Sequence, residues 1–307
     1  MNKKQVDEMQ YCLSDERTTY TYFKDKYCMF LLQHFIKDKI SINELKKSEY
    51  SQFCHKPKVK QWLSTCGSKN IEPEMIMALW QNQLHHFTIT FGQWGGNSPS
   101  WQQTCRKGYN LVLQLNFNSS HDRRYKNIVA SNRHPFSYSG HPVSSHKNTL
   151  AWSRLDFSDD LSEVLIEEIQ NDWLRKAEGT LRFLSNPKNE DYFDRRGIKA
   201  DLPQFKKYYD DILQPFKSLW DEAILCATLE FLAKDIGVKH VYYYEHNTGL
   251  QLKSLKCSAP PKSLYTKLPK KFGFKQVSNA PNFISEDKFS SKKLKRIKSP
   301  QWHYLKL

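Results

Sequence analysis

Residues 163–173 read Glu-Val-Leu-Ile-Glu-Glu-Ile-Gln-Asn-Asp-Trp. Val164, Leu165, Ile166 and Ile169 form the apolar run of a buried strand. Its end is crowded by Glu167, Glu168, Gln170, Asn171 and Asp172. Adjacent carboxylates are rare in core strands, because an unpaired buried charge costs several kcal/mol. These groups are therefore solvated at the strand's end, paired, or used. Side chains alternate faces along a strand, which predicts that Glu167 and Glu168 point opposite ways and that at most one faces any given pocket.

Upstream, Phe87–Phe91 (FTITF) and Leu111–Phe117 (LVLQLNF) alternate with period two as half-buried strands do, and Leu150–Phe157 (LAWSRLDF) reads as a further strand. The segment Gly92–Pro99 is rich in turn residues and predicts a loop. Residues 118–148 are polar and hold His121, His134, His141 and His146. His134-Pro135 and His141-Pro142 mark extended turns, since a residue before proline is pushed out of the helical region. Downstream, Leu219, Ala223, Ile224, Ala227, Leu229, Leu232 and Ala233 predict a long helix over Leu219–Ile236, closed by Gly237. Val238–Tyr244 is the next strand, Ser263–Lys271 a short helix, and Phe272–Val277 a turn into a last strand.

The first 80 residues read as helical. Phe23, Tyr27, Phe30, Leu31, His34 and Phe35 recur at helical spacing within Tyr20–Ile40. Ser41-Ile42-Asn43-Glu44 has the form of a capping box, and Pro57 and Pro73 each suit a helical first turn. The pattern predicts an α+β protein: a mixed central sheet with flanking helices over 81–289, a helical N-terminal region over 1–80, and a basic C-terminal tail over 290–307.

Lys and Arg number 47 against 32 Asp and Glu, a net charge of +15 that predicts a polyanionic partner: nucleic acid, tRNA or an acidic protein. Aromatic residues make up 14% of the chain, enough to argue for a packed core over disorder. No apolar run approaches the ~18 residues of a membrane helix, and the start MNKKQVDEMQ has no apolar signal core. The absence of such a run predicts no membrane partner, and the seven cysteines, which form no CxxC pair, predict reduced thiols in the cytoplasm. Cys54-His55, Cys66, His85, His86 and Cys105 match no zinc spacing, so no metal is expected.

Two resemblances follow from these residues. The order of Val164–Ile169, Leu219–Ile236, Val238–Tyr244, Ser263–Lys271 and Phe272–Val277 is similar to the N-acetyltransferases of the GNAT superfamily. In that family a central strand, a long helix, a splayed parallel strand, a short helix and a closing hairpin follow one another. Tyr265 to Phe274 (YTKLPKKFGF) looks like the family's Tyr-to-Gly-Phe ending. Glu167–Trp173 (EEIQNDW) also resembles the EEIQSDW hallmark of a module in polyvalent proteins of phages and conjugative elements. Phe91-Gly92-Gln93-Trp94 resembles its FGHW element, and Trp220, Ala233 and Gly237 occupy corresponding places. This likeness covers residues 85–280 and implies a bacterial mobile-element, phage-defence or toxin setting.

The acetyltransferase resemblance implies acetyl-CoA as cofactor, Glu167 or Glu168 as general base, directly or through water, and Tyr265 as general acid. It implies a site where the strands Glu163–Asn171 and Val238–Tyr244 splay, with Trp94, Arg154, Gln170, Trp173 and Tyr244 as candidate substrate contacts. The family cradles the CoA pyrophosphate in a glycine loop between strand and long helix. Here residues 174–218 fill that junction without such a loop, and Arg195-Arg196-Gly197 is the nearest substitute. Tyr265 also reads as a core aromatic, and Asp172 and Trp173 as a cap and anchor for the next segment. A second enzyme class, mono-ADP-ribosyltransferases, would use NAD with Trp94, Tyr138, Arg154 and Glu168. A third reading is a non-catalytic, basic nucleic-acid- or partner-binding protein, with aromatics interleaved among Lys and Arg at 206–209 and 292–304.

Overall fold

In the computed structural model the chain is described over residues 1–13, 19–67, 70–98, 102–129, 135–184, 192–255 and 260–307. The alternating segments become strands: β1 (Thr19–Tyr22), β2 (Ile40–Ser41), β3 (Asn70–Ile71), β4 (His85–Gly96), β5 (Gly108–Phe117), β6 (Thr149–Phe157), β7 (Glu163–Gln170), β8 (His240–Tyr244), β9 (Lys275–Val277) and β10 (Trp302–Lys306). One mixed eight-stranded sheet runs β1-β4-β5-β6-β7-β8-β10-β9, and β2 and β3 pair separately. Within the large sheet β7 and β8 pair in parallel and the other neighbours are antiparallel. A parallel pair needs a crossover. Here it carries the helices Trp173–Leu184 and Trp220–Phe231.

The middle of the sheet is covered on both faces, so all nine residues of β6 are buried. Helix Trp220–Phe231 packs across β5, β6 and β7. Thr228 on it meets Ser153 of β6, hydroxyl to hydroxyl, at 2.8 Å. The helix continues through a π-turn to Ile236 and stops at Gly237, whose φ of 78° is the left-handed cap expected there.

Three expectations change. The N-terminal region is not wholly helical: its capping box forms at Ser41 and Glu44, but Thr-Tyr-Thr-Tyr at 19–22 pairs with β4. Aromatic and β-branched residues fit a pleated surface, and the ladder outweighs the helical spacing that begins at the same place. Residues 290–307 are not a tail. Trp302–Lys306 is inserted between β8 and β9 with Trp302 and Leu305 buried, so its apolar positions decide its placement rather than the lysines before it. Gly92–Gly96 is also strand, as the end of β4. Buried side chains from Val6 to Leu305 form one cluster, so residues 1–80, 81–289 and 290–307 share a core. Among the described residues no helix is long and apolar enough to cross a membrane.

Candidate active site

The end of β7 decides the site. Its register against β6 runs Leu155 to Ile166 and then Arg154 to Glu168, which leaves Glu167 as the extra residue of a β-bulge. The parallel pairing with β8 also stops at Ile166, opposite Tyr243. Simple alternation fails at the bulge. Both glutamates reach the same ammonium: Lys253 Nζ lies 3.3 Å from Glu167 Oε2 and 4.0 Å from Glu168 Oε2.

The two carboxylates nevertheless differ in surroundings. Glu167 is fully buried; its Oε1 accepts from the Cys105 backbone N–H at 2.8 Å, and its backbone carbonyl accepts from Lys253. Glu168 is ion-paired with Arg154 and lines a cavity of about 760 Å³. Arg154 is itself 1% exposed, and its two terminal nitrogens also donate to the carbonyls of Gln102 and Gln103 at 2.8 and 3.2 Å. Burial by itself would raise the pKa of Glu168, but Arg154 and Lys253 outweigh it and hold it below its ordinary value. Burial pulls the Lys253 ammonium down against the opposing pull of both glutamates.

Opposite Glu168 stands a residue from the histidine-bearing segment. His141 Nδ1 lies 2.8 Å from Asp172 Oδ2, and its ring lines the same cavity. Asp172 is nearly solvent-free and further bound by Trp152 Nε1 at 3.1 Å, Gln170 Nε2 at 3.1 Å and Arg175 at 2.6 Å. Burial would raise its pKa, but the His141 contact leads a set of interactions that keep it lowered. Asp172 therefore orients an imidazole rather than capping the next helix. That cap comes from Asn171, whose Oδ1 accepts from Leu174 N–H at 2.8 Å.

The FGQW element converges here. A Cβ on Gly92 would stand 2.7 Å from Gln114 Nε2. That nitrogen donates to the Pro142 carbonyl at 2.9 Å and so holds the loop carrying His141. Trp94 Nε1 donates to the Gln102 carbonyl at 2.6 Å, and its ring lies under the Arg154 guanidinium at 5.6 Å. Trp94, Tyr138, Arg154, Glu168 and Gln170 thus share one cavity.

Other candidates lie apart from the cavity wall. Trp173 is 1% exposed, wedged among Phe117, His121, Tyr125 and Phe136, and donates to Tyr208 Oη at 3.2 Å; it is a core anchor. Tyr244 is fully buried, stacked on Trp302 at 5.2 Å. Tyr265 stacks on buried Tyr243, and its burial, followed by neighbouring negative charge, pushes the phenol far above its ordinary pKa, which makes it a poor acid. Arg195 and Arg196 are exposed, and Gly197, with φ of 65°, follows their short helix; none of the three lines the cavity.

The N-terminus of the Trp220–Phe231 helix, where the acetyltransferase resemblance puts the CoA pyrophosphate, carries Asp221 and Glu222 in its first turn. Glu222 is buried and already accepts from Tyr22 Oη at 3.0 Å while paired with Lys24 and Lys271. Two carboxylates suit the helix dipole but repel a phosphate, so this helix start offers no cradle for a pyrophosphate.

Sequence reading missed Lys253 and the pairing of His141 with Asp172. A basic residue after a short helix carries no mark of burial, and His141 and Asp172 lie 31 positions apart. His121 is stacked on Phe117 in the core, and His134 and Cys257 lie outside the described residues. Among the described residues no three His, Cys, Asp or Glu side chains are grouped to hold a metal. Comparison with protein-family models, curated proteins and solved structures finds no match to this chain.

Proposed function

We propose that the protein is a group-transfer enzyme working in this cavity, with His141 as its general base. The observation that carries the reading is the His141–Asp172 pair: Nδ1 is tied to a buried carboxylate at 2.8 Å while the ring stands in the cavity wall. A carboxylate at Nδ1 favours the tautomer protonated there and leaves Nε2 as proton acceptor. An amine or hydroxyl bound in the cavity gives its proton to Nε2 as it attacks; Asp172 stabilises the resulting imidazolium, which passes that proton to the carrier group displaced as the donor's bond breaks. Glu168, kept ionised by Arg154, faces the positive charge that an attacking amine develops or accepts its hydrogen bond. An ionised carboxylate tied to a guanidinium is a weak base, so this role replaces the one expected of Glu167 or Glu168.

Acyl transfer to an amine is the reaction we favour. The order of β7, the long helix and parallel β8 resembles the acetyltransferase fold, and the cavity adjoins the point where the β7–β8 ladder stops. When bound, acetyl-CoA would supply the activated acyl group; its pyrophosphate finds no matching cradle at the long helix, and the steps above belong to this chain's own residues. A second reading, ADP-ribosyl transfer from NAD, is favoured by Trp94, Tyr138, Arg154 and Glu168 lining one cavity. It is weakened because both terminal nitrogens of Arg154 are already engaged. The setting we propose is cytoplasmic, in a mobile-element, phage-defence or toxin system.

The test is an intact-mass screen of RNA and protein targets after incubation with acetyl-CoA or NAD. The expected result is a target mass gain of one acetyl group, abolished by His141→Ala with the melting temperature little changed. A gain of ADP-ribose would replace the first reading with the second. No gain with either donor, or full activity in His141→Ala, would sink the assignment of His141.

A further inference from the structure

The cavity has a composition that the transfer reading does not use. Its walls include the rings of Trp94, Tyr138, Trp152, Tyr209 and Trp220. Two of the indoles are pinned through Nε1, Trp94 to the Gln102 carbonyl at 2.6 Å and Trp152 to Asp172 at 3.1 Å, so their planes are fixed before any ligand arrives. Pre-fixed rings bind a flat π-system at low entropic cost.

Polar groups at the wall are incomplete in a specific way. Asn171 is 6% exposed, its Oδ1 is taken by Leu174 N–H, and its Nδ2 has no partner. Arg154, 1% exposed, has an Nε in the same condition. Buried donors are normally satisfied. Arg154 and Asn171 line the cavity together with Glu168, and their two orphaned donors suit a planar ligand that presents acceptors next to an amine. That is the edge of an amine-bearing nucleobase: a carboxylate accepts from the exocyclic N–H2, and amide or guanidinium N–H groups donate to ring nitrogen or carbonyl oxygen.

Charge at the rim points to a polymer. Arg175 and Lys217 line the cavity with side chains 59% and 49% exposed, paired on one side with Asp172 at 2.6 Å and Glu178 at 3.2 Å and open to solvent on the other, and Lys176 lies 4.6 Å above the Tyr138 ring. Burial is the main reason the Lys176 ammonium lies below its ordinary pKa; Asp172 opposes the shift, and Arg196 and Arg175 add to it.

We propose that the cavity receives an unpaired, amine-bearing nucleobase of a single-stranded nucleic acid, stacked between its aromatic walls, with the phosphates on the basic rim. This deepens the group-transfer reading by naming its acceptor; it rests on that reading for the chemistry but not for the binding.

The full-length protein is titrated with short single-stranded homopolymers of cytidine, adenosine and uridine, with a duplex and with free CMP and AMP, following tryptophan fluorescence at two salt concentrations. The cytidine or adenosine strand should bind at least tenfold tighter than uridine, duplex or mononucleotide, and binding should weaken with salt. Asn171→Asp keeps the cap to Leu174 but replaces the donor with a negative acceptor, and should weaken binding tenfold or more at unchanged melting temperature. Tyr138→Ala, at a half-exposed rim ring, should weaken it about fivefold or more. Equal binding of CMP or AMP would overturn the proposal in favour of a nucleotide cofactor pocket. Equal binding of duplex, or no binding, would also overturn it. Strand binding without acetyl gain in the mass screen would sink acyl transfer and leave base recognition standing; acetyl gain on a protein without strand binding would do the reverse.

Discussion

Glu167→Gln separates scaffolding from chemistry at the end of β7. Lys253 is 5% exposed, with Glu167 Oε2 at 3.3 Å and the Glu167 carbonyl accepting its hydrogen bond. The only other carboxylate within reach among the described residues is Glu168, at 4.0 Å and already shared with Arg154. The amide oxygen of the variant side chain can still accept from Cys105 N–H, so the hydrogen bond survives and the charge is lost. Stripping one partner from a buried pair costs about 3–5 kcal/mol, because the remaining charge stays desolvated. The retained hydrogen bond and the distant Glu168 argue for the lower end, about 3 kcal/mol, or a melting temperature lower by roughly 5 °C for a chain of this size. Combining Glu167→Gln with Lys253→Met removes the stranded charge and should recover more than half of the loss. Thermal unfolding of the wild type, both single variants and the double variant gives the coupling directly. A Glu167→Gln variant within about 2 °C of wild type, or a double variant as unstable as the sum of the singles, would refute the argument. The same reasoning says that replacing both glutamates by Gln compromises the fold, whereas the sequence reading, with Glu167 or Glu168 as general base, expects that change to abolish activity in an intact fold.

The Glu168 pKa is lowered in the folded state, so its stabilising contribution is complete above the ordinary glutamate value and is lost as pH falls through the folded value. Wild-type melting temperature should drop below roughly pH 4.3, and Glu168→Gln should show a shallower acid limb in a pH series. Gly237 has φ of 78° and open space where a Cβ would go, so Gly237→Ala should cost about 1–2 kcal/mol by backbone strain alone, read from denaturant unfolding. Gly92→Ala pushes on Gln114 and through it on Pro142, so it should lower the rate in the mass assay more than tenfold while shifting the melting temperature by only a few degrees.

The local chemistry of the chain determined its elements. The period-two run at Leu111–Phe117 and the apolar runs at Leu150–Phe157 and Val164–Ile169 became β5, β6 and β7. The apolar Leu219–Ile236 run became the long helical segment, and Gly237 its left-handed stop. These signals are legible because they depend on neighbours a few residues away. The carboxylates after Ile166 were equally visible, and so was the demand that they be paired. Their partners were not visible: Arg154 comes from the adjacent strand, Lys253 from a helix end 86 positions on, and His141 from a polar stretch with no pattern of its own. The bulge that brings Glu167 and Glu168 to one ammonium follows from register against β6, which period two cannot encode. Trp302–Lys306 stayed hidden for a related reason, since five residues after a lysine run become an inner strand only when β8 offers an open edge. Sequence therefore set which groups had to be satisfied, and the tertiary structure decided by whom, because pairing a buried charge is a property of the three-dimensional neighbourhood.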